Sequence, residues 1–410
     1  MKPPGTAQWK VTFFVRAARW LAFGSAVSII FSIAAFNILL ALALIALLLS
    51  GEPLRWPRIK LPLALFVLGT LISLAFSGHV NDGLPQVRKF WVFLELLVVF
   101  SALRSASIVR WLFLTWAGFA AIDAMRGVVQ FVQKVQQARA AHTGDYTYYV
   151  GERITGFSSH WNTFSAQLMF ALIMLAAFLF FAPDFRKRMW VWISCAALLA
   201  LAILLAETRA VWVAMAVASI YLIWFWRRWL VPLVPVAIGL AFLVSPPVIR
   251  ARFTSFIHPQ GVDSNAFHKV TWATGIRMIE AHPLLGLGPE EPRIQFDQYM
   301  PPELLPKPEG SYIHLHNMYL EYAAERGIPT MLMMMWILFQ VLYDFGRGLR
   351  ALPPGRSNQK FLLHGGIAVV LASMVEGVAE YNLGITGVLT MFLVVVACGY
   401  LALEKDAITQ

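Results

Sequence analysis

Twelve apolar runs, parted by short polar breaks, pattern this chain: 13–33, 35–50, 61–77, 88–104, 108–131, 161–182, 189–206, 209–226, 230–247, 329–345, 361–380 and 384–403. A helical run of about 20 residues crosses the hydrocarbon core of a bilayer, so the pattern predicts an all-α polytopic membrane protein with about 12 transmembrane helices. Several runs are near 16 residues, and only Asn37 marks a bend between the first two. On this reading residues 1–247 carry helices 1–9 with an outer loop near 132–160. Residues 248–328 form a large outer loop, and 329–410 carry helices 10–12. The first run reads as a retained span rather than a cleavable signal.

Charge sets the orientation. With both ends cytoplasmic, 19 of the 33 Lys and Arg residues fall on the cytoplasmic side, including Lys2, Arg186, Lys187 and Lys405. Thirteen fall outside, mostly in the two long loops, where the positive-inside rule has little force. The net charge of +11 is therefore a topology signal plus contact with anionic lipids, not a nucleic-acid signature. The composition agrees, with 59% hydrophobic and 13% charged residues. Cys195 and Cys398 both lie inside predicted spans, which excludes a disulfide framework.

Polar chemistry collects on one side. Eight of the nine histidines (79, 142, 160, 258, 268, 282, 314 and 316) lie outside on this topology, leaving His364 inside. In the large loop, Asp263-Ser-Asn265 offers a helix N-cap for a run that His282-Pro283 stops. Trp272, Ile276 and Ile279 recur there at helical spacing, as an apolar face suited to lying on the membrane surface. A Gly/Pro-rich turn follows at 283–289, and the Pro- and Glu-rich stretch 289–311 reads as irregular. Ionisable residues inside spans are costly and usually functional. Glu95, Asp123, Arg126 and Glu376 all fall in the outer half, with Arg209 and Glu380 at outer helix ends. Asp123 and Arg126, three apart on one helix, can also neutralise each other. A transporter needs polar groups through the whole depth, whereas this chain has a polar outer vestibule over an apolar inner half.

Three segments resemble the O-antigen ligase and polymerase family: His316-Asn317, nine residues, then Gly327-x-x-Thr330; Glu207-Thr208-Arg209-Ala210-Val211-Trp212; and Arg153-x-x-Gly156-Phe157 leading through His160 to Asn162. The run from Trp272 to His282-Pro283-Leu-Leu-Gly286-Leu-Gly288 is similar as well. Relatives often carry an arginine four residues before that tryptophan, where this chain has His268, so Lys269, Arg277 or Arg252 is the substitute cation. The resemblance implies a GT-C-type glycosyltransferase of the bacterial inner membrane, with its active site at the periplasmic face. It would move O-antigen glycan from undecaprenyl diphosphate to a lipid A–core oligosaccharide hydroxyl.

A diphosphate leaving group calls for cations where charge develops, and arginine's fork matches phosphate oxygens. Arg209 is the first candidate, with Arg153, Arg252, Arg277, His268, Lys269, Asn317 and Arg126 as further contacts to diphosphate or glycan. A snorkelling interfacial arginine is the bland alternative for each cation. His316 is the candidate general base for the acceptor hydroxyl, the alternative being a histidine that only orients its loop. Single-step attack opposite the diphosphate inverts the anomeric carbon. Glu321 and Glu325 read as solvent-facing or helix-pairing. No cofactor or metal is expected. The first outer loop, Ala34–Phe36, lacks acids, and no His-x3-His or His-Glu-x-x-His accompanies His314 and His316. The remaining alternatives are an O-antigen polymerase, a protein O-oligosaccharyltransferase and, more distantly, a flippase for lipid-linked oligosaccharides.

Overall fold

The computed structural model describes residues 6–140, 148, 151–183, 188–258, 264–308 and 312–404. Lys2, His142, Arg186, Lys187, Lys405 and the cap residue Asp263 lie outside the described residues. Among those described, all regular structure is helical. The helices are α1 (Thr6–Ser28), α2 (Ile33–Leu49), α3 (Lys60–Phe76), α4 (Val80–Arg88), α5 (Phe93–Ala102), α6 (Ala106–Ala140), α7 (Trp161–Phe181) and α8 (Met189–Leu205). They continue as α9 (Arg209–Arg227), α10 (Leu233–Val244), α11 (Pro247–Thr254), α12 (Ser264–Ala281), α13 (Met318–Ala351), α14 (Asn358–Glu376) and α15 (Thr386–Leu403).

All twelve apolar runs fall on helix. Among the described residues, five helices (α6, α7, α9 with its 3-10 extension, α13 and α15) are long and apolar enough to cross a membrane, and α2, α3, α8 and α10 are shorter apolar helices. Several boundaries moved. The first two helices part at residues 29–32, where Ser32 caps α2 by accepting from the Ala35 amide at 3.2 Å. Asn37 sits inside α2. The loop expected from residue 132 is helical to Ala140, as a continuation of α6.

Helix α7 is the centre of the bundle, packed by α6, α8, α9, α14 and α15. It is lined by residues such as Phe164, Phe170 and Met174 that are fully buried. Its N-terminus lies at the same end of the bundle as the starts of α9 and α13 and the end of α14. A smaller apolar cluster of Val270, Met278, Leu287, Phe296, Leu315 and Ala324 seats α12 on α13. The buried face of α12 is thus Val270, Thr274 and Met278, while Ile276 is exposed.

Gly327 divides α13. Its φ of 78° and ψ of 160° are non-helical, and a side chain there would strike the Leu284 carbonyl. The turn after α12 lies along this break, as Ile328 donates to Pro283 at 2.8 Å, Leu287 to Ala324 at 2.8 Å and Gly288 to Glu325 at 2.9 Å. Gly286 is likewise pressed on the Glu325–Arg326 backbone. Two of the glycine-bearing signatures are therefore the two halves of one docking contact, which fixes where α13 breaks. Thr330 completes it by filling the space over Gly69 of α3.

Candidate active site

Six segments converge at the shared end of α7, α9 and α13. The stretch before α7 brings Arg153 and His160, and the α8–α9 corner brings Glu207 and Arg209. Helices α11 and α12 bring Arg252 and His268, and the approach to α13 brings His314 and His316. The turn after α14 closes the group with Glu380.

The core of the cluster is an acid–imidazole pair. His316 Nδ1 lies 3.2 Å from Glu380 Oε2, both side chains being largely buried at 17% and 14% exposure. Burial alone would raise the Glu380 carboxyl, but the hydrogen bond from His316 and the surrounding imidazoles outweigh it and hold it below its ordinary value. An ionised carboxylate only accepts, so Nδ1 of His316 is the donor, and in the neutral ring Nε2 is the nitrogen with the lone pair. The His316 backbone sits at a φ of 50°, and Trp272 Nε1 donates to its carbonyl at 3.4 Å. Phe267 stands edge-on to the His316 ring, with centroids 5.1 Å apart.

His314 lies against His316 with centroids 4.5 Å apart, and His268 crosses it at 5.7 Å. Burial pushes the His268 and His314 imidazoles down to about 4, so both are neutral at pH 7. Their Nδ1 atoms are buried without a hydrogen-bond partner among the described residues. His160 is lowered too, chiefly by burial, and its Nδ1 accepts from the Asn162 amide at 3.2 Å to cap α7.

Three guanidinium groups border these rings. Arg153 is buried, with its guanidinium 4.9 Å from the Trp161 ring centroid. Burial, with Arg252 and Arg209 nearby and Glu207 and Glu380 opposing them, lowers it to about 10, still charged at pH 7. Arg252 is 2% exposed and donates from Nε to the Glu207 carbonyl at 3.2 Å. Arg209 is half-buried at the first turn of α9. It reaches the Ser255 carbonyl and hydroxyl, each at 3.2 Å, and also Asn265 Oδ1, so it braces α11 and α12 against α9.

The remaining sequence candidates lie elsewhere. Arg277 is exposed and pairs with Glu303 at 3.1 Å, and Lys269 is exposed on α12. Arg126 is exposed on α6 over the Phe157 ring, 4.5 Å from its centroid, and forms no ion pair with Asp123. Asn317 is a helix cap: its Oδ1 accepts from the Tyr319 and Leu320 amides at 3.0 Å, and its Nδ2 donates to Val378 at 2.8 Å. Glu321 and Glu325 are buried rather than solvent-facing. Glu321 accepts from the Leu315 amide at 2.6 Å, whereas Glu325 pairs with Arg326 and accepts from the Glu290 amide at 2.9 Å.

Buried polar groups hold the loops in place. Asp123 Oδ1 accepts from the Phe157 amide at 2.7 Å, and Gln130 Oε1 from the Thr155 and Gly156 amides at 3.1 and 2.9 Å. Gly156, at a φ of 57°, is pressed against Asp123 and Phe164 where no side chain fits. On the other side Asn382 Nδ2 donates to Glu376 Oε2 at 2.9 Å, fixing the turn that carries Glu380.

Residues 194–335 match a protein-family model described as O-antigen ligase. The matched stretch supplies Glu207, Arg209, Arg252, His268, His314 and His316, and it is consistent with a member of the O-antigen ligase family. No curated protein matches the chain.

Proposed function

We propose that this protein is a periplasmic-face glycosyltransferase that moves an O-antigen glycan from undecaprenyl diphosphate to a hydroxyl of lipid A–core oligosaccharide. The observation that carries the reading is the His316–Glu380 pair, bordered by Arg153, Arg209 and Arg252. The two kinds of group answer the two needs of the reaction. Glu380 holds the Nδ1–H of His316, so Nε2 takes the acceptor hydroxyl's proton as its oxygen attacks the anomeric carbon. The positive charge that forms on the ring is stabilised by the carboxylate behind it. The bond to the diphosphate breaks on the opposite face, with inversion, and the arginines receive the charge that develops on the leaving phosphate. The unpartnered Nδ1 atoms of the neutral His268 and His314 suit sugar hydroxyls.

The molecule is read as a GT-C-type enzyme of the bacterial inner membrane, with about twelve crossings and both termini cytoplasmic. Residues 1–247 and 329–410 form its membrane part, and 248–328 form its main outer segment. The test is reconstitution of the purified protein in liposomes with undecaprenyl-diphosphate glycan and lipid A–core, with products resolved on a gel. Transfer yields glycan-bearing lipid A–core. Elongated lipid-linked glycan with unmodified lipid A–core would instead identify a polymerase.

A further inference from the structure

The end of the bundle away from the histidine cluster holds a second feature. Helices α7, α9 and α13 start at the cluster, and their far ends, with the start of α14, enclose a cavity of about 570 Å³. Its lining combines two chemistries. Arg350, Arg356 and Lys360 border it, and none of the three pairs with a carboxylate among the described residues. Among the described residues Lys360 donates to the Gly355 carbonyl, at 2.7 Å. The wall is aromatic: Phe180 and Trp226 stack at 4.3 Å with their planes 2° apart, and the His364 ring stacks on Phe181 at 4.1 Å.

We propose that this cavity seats the headgroup of an anionic membrane phospholipid, with the phosphate among Arg350, Arg356 and Lys360 and the glycerol and upper acyl chains along the aromatic wall. Three cations without a carboxylate partner among the described residues call for an anion, and basic pockets between membrane helices suit phospholipid headgroups. A free inorganic anion would leave the stacked rings without a role. The neighbouring surface is apolar as a lipid contact requires, with Trp224 55% and Phe225 56% exposed.

Native mass spectrometry of the full-length, detergent-solubilised protein tests the proposal, using dioleoylphosphatidylglycerol and, in a separate arm, dioleoylphosphatidylcholine. The anionic lipid should stay bound and the zwitterionic lipid should not. Each cation near an anionic lipid is worth about a fivefold factor, so the triple variant R350Q/R356Q/K360Q should retain on the order of 100-fold less. The side chains of Arg350 and Arg356 are exposed, so the variant should keep the wild-type melting temperature in detergent. Trp226→Ala should also weaken retention while leaving the charges in place. Equal retention of the two lipids, or undiminished retention by the triple variant, overturns the proposal. Displacement of the lipid by excess inorganic phosphate would reassign the cavity to a free anion and overturn it as well.

Discussion

Replacing Glu380 separates a catalytic carboxylate from a merely structural one. In the structure it accepts from His316 Nδ1 at 3.2 Å and is only 14% exposed. A hydrogen bond to a charged group contributes about 1.5–3 kcal/mol. At about 1.4 kcal/mol per decade of rate, Glu380→Ala should slow transfer roughly tenfold to 150-fold. Glu380→Gln is the sharper variant. An amide can turn its NH2 toward Nδ1, which then has to accept, and the proton moves to Nε2. That leaves the imidazole with no lone pair facing the acceptor hydroxyl. In the serine-protease template the equivalent amide costs about 10⁴ in kcat, so the near-isosteric Gln should be at least as damaging as Ala. Steric reasoning alone gives the reverse order. The assay is steady-state transfer in liposomes at saturating acceptor with the donor varied. The loss should appear in kcat, with the donor KM kept, because Arg153 and Arg252 remain. Near-wild-type turnover for Glu380→Gln would refute the assignment of the tautomer and of the base together.

His316→Ala should abolish transfer while leaving expression and membrane insertion intact, and His314→Ala should be milder; wild-type-like transfer by purified His316→Ala would end the general-base role. Arg209→Lys keeps the charge but not the fork that reaches Ser255 and Asn265. Loss of one charge-assisted contact of about 1.5–3 kcal/mol predicts a fall of roughly tenfold to 150-fold, and little change in turnover would make Arg209 an ordinary interfacial arginine. Transfer should persist in excess EDTA, and loss restored by added magnesium or manganese would contradict the metal-free reading.

The helices were legible because hydrophobic runs are local. The site was legible only where a single segment carried it. His316 and its helix start could be read from the sequence, but Glu380 lies 64 residues further on and offered only an acid at an outer helix end. Helix periodicity explains the division on α12. His268 faces the cluster, and at about 100° per residue Arg277, nine positions on, projects from the opposite side of the helix. Lys269 is turned about 100° away from His268. A sequence scan that counts cations near a motif does not apply this rotation. The buried stripe of Val270, Thr274 and Met278 was hidden for a similar reason: it mixes a hydroxyl with two apolar residues, while Ile276 looked apolar and is exposed. Glu321 and Glu325 read as surface acids because their partners, the Leu315 and Glu290 amides, belong to loops whose paths the sequence does not reveal.

Of the acids inside predicted spans, Glu95 is held by Ser25 of α1, whereas Asp123 and Glu376 anchor the segments that carry site residues without entering the site, and this keeps those loops in register. A loop at a membrane edge has backbone amides that neither water nor lipid reliably satisfies. Asp123 satisfies one at Phe157, and Gln130 satisfies two more, so Arg153 and His160 are carried by a segment anchored to α6. Glu376 does the same through Asn382, whose own oxygen accepts from the Leu383 amide at 2.8 Å. Asn317 then joins the two halves: while capping α13 it donates to Val378, and the Met318 amide donates to Gly377 at 2.7 Å. The residue beside the candidate base thus ties the His316 segment to the turn that holds Glu380. An Asn in that place keeps a 3.2 Å contact between residues 64 positions apart from depending on loop packing alone, and this gives the His-Asn pair of the signature a physical reason.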